Sequence, residues 1–320
     1  TVSISILLGG ILSPIVGAVA DADGRRKSKF ILFSVLSMIG TIALYFTGSG
    51  SLLFGILLFV VMNVCFEVAL SLYDSFLLHV STTENSGRIS GLGWGLGYVG
   101  GIVAMLLFRP LYSGGYVGCL EERYLLSFPL TALFFFLFSL PAFFFLKEQY
   151  SSVAPRFQGL FSSVREGVRS LVSTLKNIRA HKRIAWFLFG WYILNDGLVT
   201  IFSFVPIYAK TTLGMSVAEI GILLLIVQVI GFPSAIFFGW LSDHHGSKKI
   251  LLLTIGLWAL VVIVSSLASS ARMFYGVAVL TGLIIGSSQA VARSWFSKII
   301  PVEKRSEFFG FNAFASKIAA

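Results

Sequence analysis

The chain has 320 residues, 56% of them hydrophobic and only 12% charged, with a mean hydropathy of +0.89 and a net charge of +10. That balance excludes an ordinary water-soluble domain, which needs far more charge on its surface. Cys65 and Cys119 form no disulfide or metal pattern, and no His-Glu-x-x-His, Gly-x-Ser-x-Gly or phosphate-cradling loop occurs, so neither an enzyme nor any cofactor or metal is expected.

In chain order, apolar segments fall at about 1–20, 30–47, 52–78, 89–108, 124–146, 184–207, 217–241, 250–268 and 273–297. Each is close to the roughly 20 residues that a membrane-spanning helix requires. A tenth begins near Phe308 and stops at Ala320, while Thr1 already lies inside an apolar run. The chain is therefore expected to be truncated at both ends.

The first segment ends in Gly17-Ala-Val-Ala-Asp21-Ala-Asp-Gly24-Arg25-Arg26-Lys27. After a shift of 222 residues the same punctuation returns as Gly239-Trp-Leu-Ser-Asp243-His-His-Gly246-Ser247-Lys248-Lys249. Each copy lies between two apolar segments and predicts a tight turn between membrane helices. A repeat of this kind implies a duplicated bundle. Asp21 and Asp243 each end a helix, where a carboxylate could approach the positive N-terminus of another helix and act as a latch. Arg25 and Asp74 are candidate partners of Asp21; Ser247 replaces the first arginine in the second copy, which predicts a weaker latch there. The plain alternative is a solvated turn aspartate.

With the turn at 21–29 taken as cytoplasmic, the connections at 21–29, 79–90, 147–183, 242–249 and 298–307 hold 18 Lys and Arg. The opposite connections hold four: Arg109, Arg123, Lys210 and Arg272. This positive-inside bias sets the orientation. The basic surplus thus faces lipid headgroups, and no nucleic-acid partner is expected.

The fourth segment opens with Gly91, Gly93, Gly95, Gly97 and Gly101, overlapping small-xxx-small steps that let helix backbones approach closely. The long connection at 147–183 turns polar and basic. Within it Phe157, Leu160, Phe161, Val164, Val168, Leu171, Val172, Leu175 and Ile178 recur at helical spacing, with basic residues between them. This predicts an amphipathic helix at the inner membrane face, an interfacial linker in the first place and a calmodulin-like docking stripe in the second.

Charges at membrane depth are costly and point to function. Glu67 lies midway along the third segment, and Asp196, beside Asn195, midway along the sixth. The repeat shift places Gln289 of the ninth segment opposite Glu67, with Arg293 one turn on. Each could instead make only a structural interhelix hydrogen bond.

The paired turns, with six apolar segments and a basic central loop between them, resemble the major facilitator superfamily. Ser90–Gly101, Asn195-Asp196-Gly197, Ser288-Gln289-Ala-Val-Ala-Arg293-Ser294, Pro301 and Phe308-Phe309-Gly310-Phe311 resemble its vacuole-effluxer-like branch, whose eukaryotic members are implicated in amino-acid efflux. The sequence departs from that branch at Asp74, where asparagine is expected, and at Ser316, where glycine usually precedes Lys317. The resemblance implies an all-α polytopic membrane protein with two pseudo-symmetric six-helix bundles. The nine segments become helices 2 to 10 and the last fragment the start of helix 11. The bundles would be 1–146 and 184–320, joined by the linker 147–183. Helix 5 would meet helix 8, and its glycine face would serve either as a sliding surface or as static packing.

By the same resemblance Glu67, Asn195, Asp196, Gln289 and Arg293 would converge on a central cavity suited to a zwitterionic or polar solute, or to a proton. The implied function is secondary transport of a small polar solute, with an amino acid as one candidate, by a monomer in the lipid bilayer. The membrane would be the cell membrane in a prokaryote and the vacuolar membrane in a eukaryote. The alternative is a non-transporting receptor or scaffold on the same fold.

Overall fold

The computed structural model describes residues 2–47, 52–112, 120–147, 160–176 and 181–318. Cys119, Phe157 and Ile178 lie outside them, and the side chains of Arg123, Leu160 and Phe161 are likewise not described. In chain order the helices are α1 (Val2–Asp23), α2 (Arg26–Ala43), α3 (Leu52–Ser75), the short α4 (Leu77–Val80), α5 (Ser86–Tyr112) and α6 (Leu120–Phe145). They continue with α7 (Leu160–Lys176), α8 (Lys182–Thr211), α9 (Val217–His245), α10 (Ser247–Leu267), α11 (Ala271–Ile299) and α12 (Arg305–Ile318).

Among the described residues nine helical spans are long and apolar enough to cross a membrane, close to the nine segments read from the sequence. Hydrocarbon offers the backbone no hydrogen-bond partner, so a spanning segment must satisfy its own amides, which a helix does. The distribution of side chains fits a lipid environment. Phe138, Phe144, Trp186 and Val262 are exposed, whereas Ser5, Ser13, Ser34 and Thr254 are buried. Small side chains inside allow close helix contact where burial of apolar area gives no advantage over lipid.

By contact the chain forms two compact units. One comprises Thr1–Phe76, Leu107–Tyr192 and Ile300–Ala320; the other comprises Leu77–Leu106 and Ile193–Ile299. Contact therefore follows a different grouping from chain order, because α12 packs along α1 although the two lie at opposite ends of the sequence. In the first unit α1, α2 and α3 meet at Ala20, Phe30, Val68 and Leu72, with the Phe30 ring edge-on to Phe76 and Phe143. In the second, α8, α10 and α11 meet at Leu198, Trp258, Val261, Phe274, Val277 and Ile284.

Candidate functional site

In the first unit the turn after α1 is shaped by Gly24, whose φ of 69° is open chiefly to glycine. The turn aims Asp21 at the start of α12. Its carboxylate accepts the backbone N–H groups of Ser306 (3.2 Å) and Glu307 (2.8 Å), and the Arg26 Nε–H at 2.9 Å. Arg26 also donates to Ser306 Oγ (2.8 Å), and Ser306 and Ser75 share a hydroxyl contact of 3.3 Å. A negative group on the free amides and positive dipole end of a helix is a favourable arrangement. Gly17 completes it, since a Cβ there would collide with the Ser306 carbonyl.

The guanidinium on Asp21 is that of Arg26, one residue beyond the expected Arg25. Arg25 is exposed, and its backbone N–H donates to Asp23 Oδ1 at 2.9 Å. Lys27 and Asp74 are partly buried. Arg305, in the first turn of α12, is buried; loss of solvent, followed by the charge of Arg26, lowers its guanidinium to about 10, so it remains charged at neutral pH.

The second unit repeats the design on different helices. Gly246, with φ 92°, turns the chain after α9. Asp243 accepts the backbone N–H groups of Gly87 (2.8 Å) and Arg88 (2.7 Å) in the first turn of α5. A Cβ at Gly239 would collide with the Gly87 carbonyl, as one at Gly17 would with that of Ser306. The cation here comes from elsewhere in the chain: Lys298, at the end of α11, lies 3.3 Å from Asp243 and donates to Ser247 Oγ at 3.0 Å. Lys249 of the motif is exposed.

Farther along α12 a second charged contact is buried. Lys317 donates to Glu67 Oε1 of α3 at 2.9 Å, with the Glu67 side chain 9% exposed and that of Lys317 24%. The two adjacent glycines Gly9 and Gly10 on α1 make room for the pair. A Cβ at Gly9 would stand 2.7 Å from Glu67 Cβ, and one at Gly10 3.1 Å from Lys317 Cβ. Asn63, one turn before Glu67, donates to Ser5 Oγ (2.8 Å), and Trp191 Nε1 donates to Ser316 Oγ (2.7 Å). At about 1.5 Å per residue, Lys317 lies about 15 Å along α12 from the Asp21 contact at Glu307, well inside a bilayer core of about 30 Å. Lys317 was not among the expected site residues, although it stands directly after the unusual Ser316.

Of the five expected cavity residues, Glu67 belongs to the first unit and the other four to the second. On α8 Asp196 is exposed and forms no hydrogen bond or ion pair among the described residues, while Asn195 is partly buried. On α11 Gln289 Oε1 accepts the Tyr98 hydroxyl at 3.4 Å. Arg293 reaches the α5 face, its guanidinium 3.6 Å from where a Cβ on Gly93 would stand.

The glycines of α5 divide into distinct faces. A Cβ at Gly91 would collide with the Ala235 carbonyl of α9, one at Gly95 would stand 3.1 Å from Phe232, and one at Gly101 would collide with Gln228. Gly97, expected in the same ladder, has no neighbour within 4 Å of such a Cβ, and Gly93 makes only ordinary contact. Gly91, Gly95 and Gly101 thus press on α9, whereas Gly93 and Gly97 do not.

The family model described as "Vacuole effluxer Atg22 like" matches residues 1–80 and 78–320. The chain is 28% identical over 325 residues to MFS-type transporter YxiO of Bacillus subtilis (strain 168), covering 100% of this chain and 74% of that protein. It is 21% identical over 401 residues to Autophagy-related protein 22-1 of Aspergillus niger (strain ATCC MYA-4892 / CBS 513.88 / FGSC A1513), covering 99% of this chain and 65% of that relative. Among solved structures it is similar to the major facilitator superfamily proton:xylose symporter XylE, with a TM-score of 0.71 and 16% identity over 98% of this chain and 75% of that one. That likeness establishes the fold.

Proposed function

Because the chain belongs to the vacuole effluxer Atg22-like family, within the major facilitator superfamily of multi-pass membrane proteins, we propose that it is a secondary transporter moving a small polar solute by alternating access. The solute is a zwitterion of amino-acid type, and the buried Glu67–Lys317 pair is the observation that carries this reading. A carboxylate and an ammonium at membrane depth are costly alone, so in the empty protein each neutralises the other. A zwitterion brings one group of each sign and can replace that contact with two, leaving no buried charge unpaired. The names of the relatives, an effluxer family and a transporter, support the same direction. Asp21 and Asp243 serve as inner latches, and Asn195, Asp196, Gln289 and Arg293 are further polar candidates on α8 and α11.

The test uses the full-length protein in proteoliposomes and a panel of radiolabelled L-amino acids, each compared with its carboxamide. Transport of some amino acids but not of their amides is expected, with Glu67→Gln and Lys317→Gln both losing it. Each single variant leaves the opposite charge orphaned, which costs about 3–5 kcal/mol, so the double variant should melt higher than either single one. Binding without flux for every solute would favour a receptor on the same fold. Flux indifferent to both substitutions would remove the pair from the site.

A further inference from the structure

The amphipathic helix α7 docks with an unexpected face. Its buried side is a row of small residues, Ser163, Gly167, Ser170 and Thr174, spaced by four, three and four positions so that they share one side of the helix. A Cβ at Gly167 would stand 2.7 Å from the backbone N of Val19, so this face lies directly on α1. The apolar row, Val164, Val168, Val172 and Leu175, points away from the protein and is 40–50% exposed. Arg165, Arg169 and Lys176 flank it, against a single acidic residue in the helix, Glu166.

The docked face reaches the first latch. Ser170 Oγ donates to Glu307 Oε2 at 2.8 Å, and Lys304 Nζ donates to Thr174 Oγ1 at 2.8 Å. Glu307 is the residue whose backbone N–H is held by Asp21. Its side chain is fully buried, and Oε1 has no hydrogen-bond partner among the described residues. One residue at the start of α12 is therefore gripped from both sides, by the latch through its backbone and by α7 through its carboxylate.

We propose that α7 is a lipid-reading strap on this latch. Its apolar row enters the boundary of an anionic leaflet while Ser170 and Thr174 hold the start of α12 against Asp21. An apolar stripe edged by arginine and lysine matches the acyl boundary and the negative headgroups of such a leaflet. A neutral leaflet offers the apolar half of that match only. Engagement thus strengthens with anionic lipid and stabilises the Asp21 contact through Glu307.

The test takes the full-length protein, with Cys65 and Cys119 replaced by serine and a single fluorophore on Val168→Cys, in vesicles of phosphatidylcholine with or without phosphatidylglycerol. Neither readout requires flux, so failure here is distinct from failure of the transport reading. With phosphatidylglycerol the emission should shift to the blue and be quenched by spin-labelled lipid, and amide exchange at Ser306 and Glu307 should slow. In an Arg165→Gln, Arg169→Gln, Lys176→Gln variant the lipid dependence should weaken, by up to about fivefold per charge removed. Ser170→Ala should leave the fluorophore in lipid yet uncouple the amides, and the retained blue shift would show that α7 still folds. The proposal is overturned by water-like emission in both vesicles, or by shielding without quenching, which would mean that another protein surface covers the stripe. A charge-neutral variant that responds like the parent, or full coupling in Ser170→Ala, would overturn it equally.

Discussion

Asp21 contributes through its charge as well as its shape. Its two oxygens accept two backbone amides and one guanidinium, and an asparagine can replace at most part of that set. Hydrogen bonds to a charged group are each worth about 1.5–3 kcal/mol, so Asp21→Asn should loosen the closed latch by about tenfold or more. Cysteine-accessibility measurements from the cytoplasmic side should then show a more open protein with reduced transport and normal membrane insertion. Asp243→Asn should act in the same direction but more weakly, because Lys298 stands 3.3 Å away and is 20% exposed, whereas Arg26 stands at 2.9 Å and is 4% exposed. Unchanged accessibility in Asp21→Asn would mean that its charge does not hold the protein closed. At this scale the repeat made Gly17, Asp21 and Gly24 legible, since two copies under one geometric demand keep the same residues. It could not tell Arg25 from Arg26, because the direction of a side chain after a left-handed glycine depends on the turn. Lys317 was hidden for a simpler reason: it has no counterpart in the other half at the repeat spacing, where position 95 is glycine.

At the scale of elements, the spanning helices were readable because a bilayer leaves the backbone no other regular choice within a single strand of chain. Their contact faces were less so. Both glycine rows of α5 have the same spacing, and only packing against α9 shows that Gly91 is pressed and Gly97 is not. This gives substitutions of opposite sign. Gly91→Ala drives a methyl into the Ala235 carbonyl and should destabilise by about 1–3 kcal/mol. Gly97→Ala meets nothing and should stabilise by about 0.5–1 kcal/mol through the better helix propensity of alanine. Thermal melts in detergent read both; equal shifts would mean that the α5–α9 contact is not the close one. In α7, likewise, the apolar periodicity marked the stripe that faces outward, while the face that docks is made of serine, threonine and glycine, which carry no hydrophobic signal.

For the whole molecule, orientation follows from charge and can be checked across one helix. Lys248 is exposed at the start of α10, and Ser269 is exposed just beyond its end. The helix has 21 residues, which at about 1.5 Å each gives about 32 Å. That matches a hydrocarbon core of about 30 Å, so the two positions emerge on opposite sides of the membrane. By the 18 to four distribution of basic residues, Lys248 is expected on the cytoplasmic side. In intact cells expressing single-cysteine variants, an impermeant thiol reagent added outside should label Ser269→Cys and spare Lys248→Cys. Permeabilising the cells should then expose Lys248→Cys as well. Ser247 is a poorer probe, because it is buried under Lys298 and would resist reagent from either side. The reverse labelling pattern would invert the protein in the membrane. It would put both aspartate latches on the outer face and turn α7 away from the leaflet whose charge it is proposed to read.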